Sequence, residues 1–593
     1  MAGRSCGMEH MHIIRFLGKR EYGLGATALA FIVLQVYLDL KLPDYMQTIT
    51  TLIVTPGTAM GRVLGEGALM LGCALGSMLA TVVTGYCMAV IGTSMAQRMR
   101  AGVFDATLDF SMAEIGEFST PSLITRSTND VTQIQMFVVM AVQLLVRSPI
   151  VAVWAILKIS DANMTWTLAT GAAVAVLLTV LGVIAVLVTP RMMRMQRITD
   201  DLNRVTREHL SGLRVIRAYN SQGFHGRRFE AANAELTGAN TFVNNAFAFL
   251  MPSLTAIMSG LSLAIYVLGA VMIDAATGAE RLTLFSQMIV FSAYALQIVG
   301  AFMMLAFVFI FMPRASVAWR RIREVLSTEP GIADGAARVG RSRASGEVEF
   351  RNVSFRYPDA EDDALKDVSF TARPGQTVAI IGSTGSGKSS IVNLVPRFYD
   401  VREGQVLVDG RDVREWEQKA LRDRISFVPQ RATLFSGTIA SNIDFGRGAR
   451  EVTPRDVVEA AEAASAVEFI AAREGRYASA VAQGGSNFSG GQKQRLAIAR
   501  AVARGGGVMI FDDSFSALDY KTDRDVRAAL RRTAADATVI IVAQRIGTVR
   551  GADRILVVDR GRIVGAGTHS ELLETCSVYR EIALSQLSEE ELA

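Results

Sequence analysis

The sequence predicts an all-α membrane domain of six spanning helices followed by a cytoplasmic α/β domain built on a phosphate-binding glycine loop (P-loop). Three observations carry that prediction. Six long apolar segments occupy the first 325 residues. From Val348 the pattern changes to strands, beginning with Val348-Glu349-Phe350-Arg351-Asn352-Val353-Ser354-Phe355, which alternates with period two. Gly382-Ser383-Thr384-Gly385-Ser386-Gly387-Lys388-Ser389 then matches G-x-x-x-x-G-K-[ST] without a gap. The expected division is a membrane domain over residues 1–325, a Gly/Ala/Arg-rich linker over 326–347 and a nucleotide domain over 348–593.

The apolar segments run at approximately 24 to 48, 67 to 95, 133 to 158, 165 to 189, 246 to 273 and 284 to 312. Each is near or above the roughly 20 residues a spanning helix needs. The first is the weakest, because Asp39, Lys41 and Asp44 interrupt it, and its outer end is expected at or beyond the far interface. Arg147 is the notable charge inside a span. Embedded in the membrane it is a functional candidate; an inward extension of the third span instead places it at headgroup level.

Arginines set the orientation. They crowd the connection after the second span (Arg98, Arg100, Arg126), the one after the fourth (Arg191, Arg194, Arg197, Arg204, Arg207, Arg214, Arg217) and the segment after the sixth (Arg314, Arg320, Arg321, Arg323), while the opposite connections are short and hold few charges. The basic sides are expected in the cytoplasm. Both termini and the P-loop then lie inside the cell, in a multi-pass protein of the inner (plasma) membrane. Met1 to Arg20 is polar and lacks the apolar core of a cleavable leader. The two inner connections are helical in pattern, at Ser122 to Val131 and at Gly212 to Asn220, and suggest long helices carrying short crosswise ones at their tips.

Composition excludes some functions. The 61 basic and 56 acidic residues leave a net charge of +5, too small to argue for a nucleic-acid partner. Cys6, Cys73, Cys87 and Cys576 are scattered, without the spacing of a zinc site.

The P-loop follows the apolar run Thr377-Val378-Ala379-Ile380-Ile381 and precedes the periodic Ile391-Val392-Asn393-Leu394-Val395. Strand, glycine loop and helix suit a polyphosphate: loop amides turn inward, Lys388 reaches the outer phosphates and the Ser389 hydroxyl can ligate Mg²⁺. ATP is the implied ligand.

Further stretches follow at intervals that one motif would not predict. Phe427-Val428-Pro429-Gln430 ends a strand in an amide, and Phe488-Ser489-Gly490-Gly491-Gln492 opens an amphipathic helix. Val508-Met509-Ile510-Phe511-Asp512-Asp513 is an apolar strand ending in two carboxylates, with Ser516-Ala517-Leu518-Asp519 close behind; Val539-Ile540-Ile541-Val542-Ala543-Gln544 is another with a polar tip. In this order the stretches resemble the ATP-binding cassette (ABC) transporters, specifically an exporter-type (type IV) half-transporter, and the likeness covers about residues 20 to 590. The two inner connections resemble that family's coupling-helix neighbourhoods.

The resemblance implies roles. Tyr357 would stack on adenine. Gly382 to Ser390, including Lys388, would hold the phosphates, with Gln430 beside them. Ser389, Gln430 and Asp512 would surround Mg²⁺. Phe488 to Gln492, the signature, would close over the ATP of a second nucleotide domain, with Ser516 to Asp519 as the D-loop. A chain with one such domain must therefore dimerise.

Two positions depart from the family's pattern. Where an active cassette has a glutamate to polarise water this chain has Asp513, and where it has a histidine this chain has Gln544. A carboxylate one methylene shorter falls about 1.5 Å short, and misplacement of about 1 Å can cost on the order of 10²-fold in rate. Glutamine cannot become cationic, and none of His10, His12, His209, His225 or His569 lies in that loop. The signature differs from the usual Leu-Ser-Gly-Gly-Gln only at Phe488. The chain thus resembles the degenerate subunit of bacterial heterodimeric multidrug exporters: its own site binds ATP and hydrolyses it poorly, and its signature completes the site of a partner that supplies the glutamate and histidine. A slow homodimer using Asp513 as base is the rival.

Cargo is barely written in the residues. The sixth span's Phe302-Met303-Met304-Leu305-Ala306-Phe307-Val308-Phe309-Ile310-Phe311-Met312 suits an adaptable wall for small amphipathic or lipophilic compounds such as drugs or lipids, and equally suits ordinary packing. An importer of siderophore or haem, and a nucleotide-gated channel or regulatory subunit, share the architecture.

Overall fold

The computed structural model describes residues 13–587 except 56, 161–163, 278, 341–345 and 447–451. Expectations that touch Arg4, Cys6, His10, His12 and residues 341–345 of the linker fall outside the described residues. The chain forms two compact units. One comprises the chain up to Thr107 together with Pro121–Thr328; the other comprises Leu108–Thr120 together with the chain from Glu329.

Among the described residues, six helices are long and apolar enough to cross a membrane. They are α1 (Lys19–Val54), α2 (Met60–Asp109), α5 (Val131–Ser160), α6 (Met164–Ser211), α8 (Gln222–Ala275) and α9 (Ala279–Ser327). Short helices α3 (Met112–Phe118), α4 (Thr120–Thr125) and α7 (Leu213–Ala218) lie between them. With 50, 48 and 54 residues, α2, α6 and α8 are about 70 to 80 Å long at 1.5 Å per residue. A hydrocarbon layer is only about 30 Å thick, so each runs well beyond it, as the helical pattern of the inner connections implies.

The first inner connection differs from expectation. Ser122 to Val131 holds no separate helix: α4 passes through a wide turn at Arg126–Asp130 directly into α5. The separate helix is α3, about ten residues earlier. Ser111 starts it with a capping box, accepting from the Ala113 amide (3.2 Å) while its own amide donates to Glu114 (2.7 Å), and Ser119, at φ 57°, ends it. Seven residues between two caps are too few to show an apolar period. The second lies where expected, α7 falling within Gly212 to Asn220.

Helix α1 continues to Val54, past the expected end at residue 48, because its charges have partners on other helices. Asp39 accepts from the Ser77 hydroxyl and pairs with Arg147 of α5 at 3.0 Å. Asp44 pairs with Lys158 of α5 at 2.9 Å and accepts from the Tyr294 hydroxyl of α9 at 2.6 Å. Charges that would end a lone span are neutralised between helices. Cys73, Cys87 and Cys576 are free thiols.

The unit that contains the P-loop holds three sheets. The antiparallel one, β2-β1-β4-β5, is built from β1 (Val348–Phe355), β2 (Leu365–Ala372), β4 (Glu403–Val408) and β5 (Arg411–Asp412). The central sheet has the order β12-β11-β3-β10-β9-β6, from β3 (Thr377–Ile381), β6 (Ile425–Val428), β9 (Val508–Asp512), β10 (Thr538–Val542), β11 (Arg554–Asp559) and β12 (Arg562–Gly567). Strand β12 runs antiparallel at the edge; β11, β3, β10, β9 and β6 pair in parallel. Strands β9 and β10 are buried along their whole length, as parallel strands covered on both faces must be. A short pair, β7 (Gly437–Thr438) with β8 (Ala480–Val481), completes the count among the described residues.

Candidate nucleotide site

The order β3-β10-β9-β6 gathers four loops at the carboxyl ends of adjacent parallel strands, where open α/β sheets bind ligands. The P-loop follows β3, Gln544 follows β10, Asp512 ends β9 with Asp513 next, and Gln430 follows β6. Gly382 and Gln544, 162 positions apart in sequence, thus meet at one edge through strand pairing.

The P-loop is shaped by its glycines. At Gly382 an added Cβ would lie 2.1 Å from the Val558 carbonyl oxygen, so only glycine lets the strand end pass under that backbone. Gly387, at φ 103°, precedes α10 (Lys388–Leu394), and a Cβ there would lie 2.8 Å from the Ala364 oxygen. Ser383, Thr384 and Gly385 are exposed, whereas Ser386, Lys388 and Ser390 are buried. Lys388 donates from Nζ to the carbonyls of Gly382 (2.9 Å) and Ser383 (2.6 Å). Burial lowers its pKa, against the opposing pull of Asp513 and Asp512. The buried Ser386 Oγ has no hydrogen-bond partner among the described residues. An ammonium resting on weak carbonyl acceptors beside an orphaned hydroxyl fits a polyphosphate, whose oxygens would satisfy both.

Ser389 donates from Oγ to Asp512 Oδ1 at 2.9 Å. Burial raises the Asp512 carboxyl above its ordinary range; the Ser389 hydrogen bond opposes this and the neighbouring Asp513 adds to it. A hydroxyl and a carboxylate in contact, with Lys388 nearby, fit a hard divalent cation bound with phosphate. Gln430 reaches the same edge, but its amide nitrogen donates to Asp513 Oδ2 at 3.4 Å. Gln544 donates to that same oxygen at 3.3 Å. Asp513 sits at φ 45°, with its amide bonded to the Val542 carbonyl (3.0 Å) and its carbonyl accepting from the Ser516 hydroxyl (2.8 Å). Burial also raises its carboxyl.

Tyr357 is half-buried; its hydroxyl lies 3.0 Å from Ser390 Oγ and its ring packs edge-on against Phe355 and Tyr399. The signature residues close on one another. Ser489 caps the helix Gly490–Arg504, accepting from the Gln492 amide at 3.4 Å while its own amide donates to Gln492 Oε1 at 3.1 Å. Phe488 is buried beneath the Arg473 guanidinium, 3.9 Å from the ring centroid, which accounts for a larger apolar residue at that position. Gly491 lies against the Ala517 carbonyl and Leu518, leaving Ser516 and Ala517 exposed. Asp519 caps the helix Tyr520–Thr533 by accepting from the Thr522 amide at 3.0 Å.

Two residues escaped the sequence reading. Arg545 donates to the carbonyls of Ser516 (3.1 Å) and Leu518 (3.4 Å), and Gln586 bonds the backbone on both sides of Arg545. Position alone marks Arg545, next to Gln544; nothing in sequence marks Gln586.

The membrane unit contains a cavity of about 900 Å³ among α5, α6, α8 and α9. Leu181, Val188, Phe247 and Phe302 are among its apolar walls, and Asp130, Arg314 and Arg321 line it as well. Arg321 pairs with Asp130 at 3.3 Å. From the run Phe302 to Met312, Phe302 and Leu305 line the cavity; the side chains of 306, 307 and 309–311 lie outside the described ones.

Comparison with known proteins decides the family. The pattern of the ABC transporter transmembrane region matches residues 29–302, and that of the ABC transporter matches residues 365–516. The chain belongs to the ABC transporter family. An ABC transporter ATP-binding protein of Mycobacterium tuberculosis is 41% identical over 549 residues, 91% of this chain and 93% of its own length. An ATP-dependent lipid A-core flippase of Aromatoleum aromaticum is 32% identical over 514 residues, 85% of this chain and 82% of its own. A solved bacterial Atm1-family ABC exporter with ATP bound superposes with a TM-score of 0.80 at 24% identity, covering 96% of this chain and 100% of that one. The six-span ABC exporter fold is therefore that of this chain, with the ATP-binding domain after the membrane domain.

Proposed function

We propose that this ABC transporter chain is one half of a heterodimeric, ATP-driven exporter of amphipathic or lipophilic compounds, with its nucleotide domain and both termini in the cytoplasm. The cavity carries the cargo reading. It is large enough for a drug-sized molecule or part of a lipid, mostly apolar, and its lining includes Arg314 and the Arg321–Asp130 pair. Such a lining suits an apolar body with a polar or anionic head. Relatives named as lipid A-core flippases support a lipid-like cargo.

In this reading Lys388 exchanges its loop carbonyls for phosphate oxygens, Ser386 gains the partner it lacks, and Tyr357 offers its ring to adenine. Mg²⁺ would be held by Ser389, Asp512 and Gln430 and would supply charge neutralisation at the outer phosphates. Asp513 supports poor hydrolysis in this chain's own site. Its short carboxylate is engaged by two neutral amides, and neither glutamine can carry a charge to the γ-phosphate. The signature, rigidly capped at Ser489, is intact and completes the partner's site.

The test is turnover of the chain purified alone and with its partner in lipid vesicles. Expected are low ATPase alone, substrate-stimulated ATPase in the pair, and uptake into inverted vesicles lost when the partner's glutamate is removed. Brisk ATPase of the chain alone, abolished by Asp513→Asn, overturns the heterodimer; ion flux with ATP bound and no coupled transport overturns the exporter.

A further inference from the structure

The loop after β10 lacks a cap of its own. Ile546–Val549 forms a helical turn whose cap residue is Arg545, extended at φ −96° and ψ 129° and making no side-chain cap bond. Arginine is donor-only and cannot accept from a helix's first amides. The acceptor comes from 40 residues further on. Gln586 Oε1 accepts from the Ile546 amide at 2.9 Å, and Gln586 Nε2 donates to the Gln544 carbonyl at 2.8 Å. One carboxamide therefore pairs with the carbonyl of residue 544 and the amide of residue 546, the pair of groups an extended strand presents on one side.

That clamp leaves the Arg545 side chain free to hold the Ser516 and Leu518 carbonyls, and it holds the backbone from which Gln544 reaches Asp513. The clamp is itself anchored. The helix Ser577–Leu584 buries Tyr579 and Ala583 completely, Tyr579 bonds His569 Nδ1 at 2.7 Å, and the Gln586 and Leu587 amides both donate to the Ala583 carbonyl. A short run of backbone thus links the C-terminal segment to the Gln544 loop and, through Arg545, to the Ser516–Asp519 loop.

We propose that Gln586 is a positioning residue for nucleotide hydrolysis by the assembled transporter, setting the Gln544–Ile546 loop and, through Arg545, the Ser516–Asp519 loop. The proposal rests on the nucleotide-site reading given above. It makes the C-terminal segment a point from which turnover is controlled without touching ATP.

The experiment compares wild type, Gln586→Ala, Gln586→Glu and Lys388→Ala in the full-length transporter, reading kcat, KM for ATP, ATP-analogue binding and amide exchange at Ile546. Glutamate keeps the acceptor for Ile546 but sets a second oxygen against the Gln544 carbonyl. Expected for Gln586→Ala is a kcat lower by about tenfold, in line with small displacements of reacting groups, with KM within about twofold and faster exchange at Ile546; Gln586→Glu recovers the Ile546 protection but not kcat. Unchanged kcat and unchanged exchange overturn the clamp, as does a parallel loss of kcat, ATP binding and melting temperature, which marks a merely structural residue. Lys388→Ala separates the two readings: undiminished photo-crosslinking of an ATP analogue to this chain in that variant overturns the nucleotide site itself, whereas lost crosslinking to this chain there with an inert Gln586→Ala overturns the clamp alone.

Discussion

The Gln544 side-chain amide donates to Asp513 Oδ2 at 3.3 Å, so the two residues that the proposed reading makes responsible for weak hydrolysis are in contact with each other. In that reading each residue shapes the other: a carboxylate proposed to be short for reaching water is met by an amide that is neutral toward phosphate.

Restoring both should restore chemistry. With the partner's glutamate removed, Asp513→Glu combined with Gln544→His is expected to raise phosphate release from this chain's site by about tenfold or more, since a misplaced base costs on that order. Either change alone should give less, because the two side chains touch. No gain from the double variant in a phosphate-release assay would count against Asp513 as the cause of the slow turnover proposed for this site.

Asp512 should be worth more to function than to stability. Burial raises its folded-state pKa above the unfolded value of 3.8. The stabilising contribution of such a group is fully present below that value and is lost as pH rises through the raised one, so at neutral pH the ionised carboxylate costs stability. Asp512→Asn is expected to raise the nucleotide-free melting temperature at pH 7, by roughly 2 to 4 °C for about 1 kcal/mol, and to shrink that gain as pH falls toward 4. Binding of Mg²⁺-dependent ATP should be lost in the same variant. A lower melting temperature at pH 7 would contradict the burial argument.

The Asp39–Arg147 pair offers a double-mutant cycle. Among the described residues, Arg147→Ala leaves Asp39 the Ser77 hydroxyl, and Asp39→Asn removes the charge that the Arg147 guanidinium pairs with. Both singles should lower the melting temperature in detergent and the double should recover part of the loss, with a coupling of about 1 kcal/mol given that the arginine is about half exposed. Additive losses would show that the pair does not matter.

Ser489→Ala removes the cap of its helix, a cost of about 1 kcal/mol, and leaves the P-loop untouched. Photo-crosslinking of an ATP analogue to this chain should persist while steady-state turnover of the pair falls more than tenfold. Loss of crosslinking instead would mean that the signature serves this chain's own ATP.

Arg314 lines the cavity, as do the paired Arg321 and Asp130. Arg314→Gln is expected to raise the half-saturating concentration of anionic amphiphiles severalfold in substrate-stimulated ATPase, as loss of a charged hydrogen bond does, and to leave uncharged ones nearly unaffected. Equal shifts for both classes would assign the arginine a packing role.

The amino-acid order alone was enough for the spans, the P-loop and the strand-ending residues Gln430, Asp512, Asp513 and Gln544, because each rests on a local pattern: a run of apolar residues, a glycine spacing, or a polar residue at the tip of a buried strand. Helix α3 was not legible, since seven residues fixed by Ser111, Glu114 and Ser119 carry no period. Nor was the true reach of α1, because whether Asp39 and Asp44 end a span depends on partners at positions 147, 158 and 294, which only helix packing supplies. Pairing in the order β3-β10-β9-β6 decided that the four loops meet, and packing of the C-terminal helix decided that Gln586 reaches Ile546. Local patterns follow from dihedral preference and burial along the chain; contacts between distant positions follow from which surfaces bury each other, and that is settled only when the whole unit is folded.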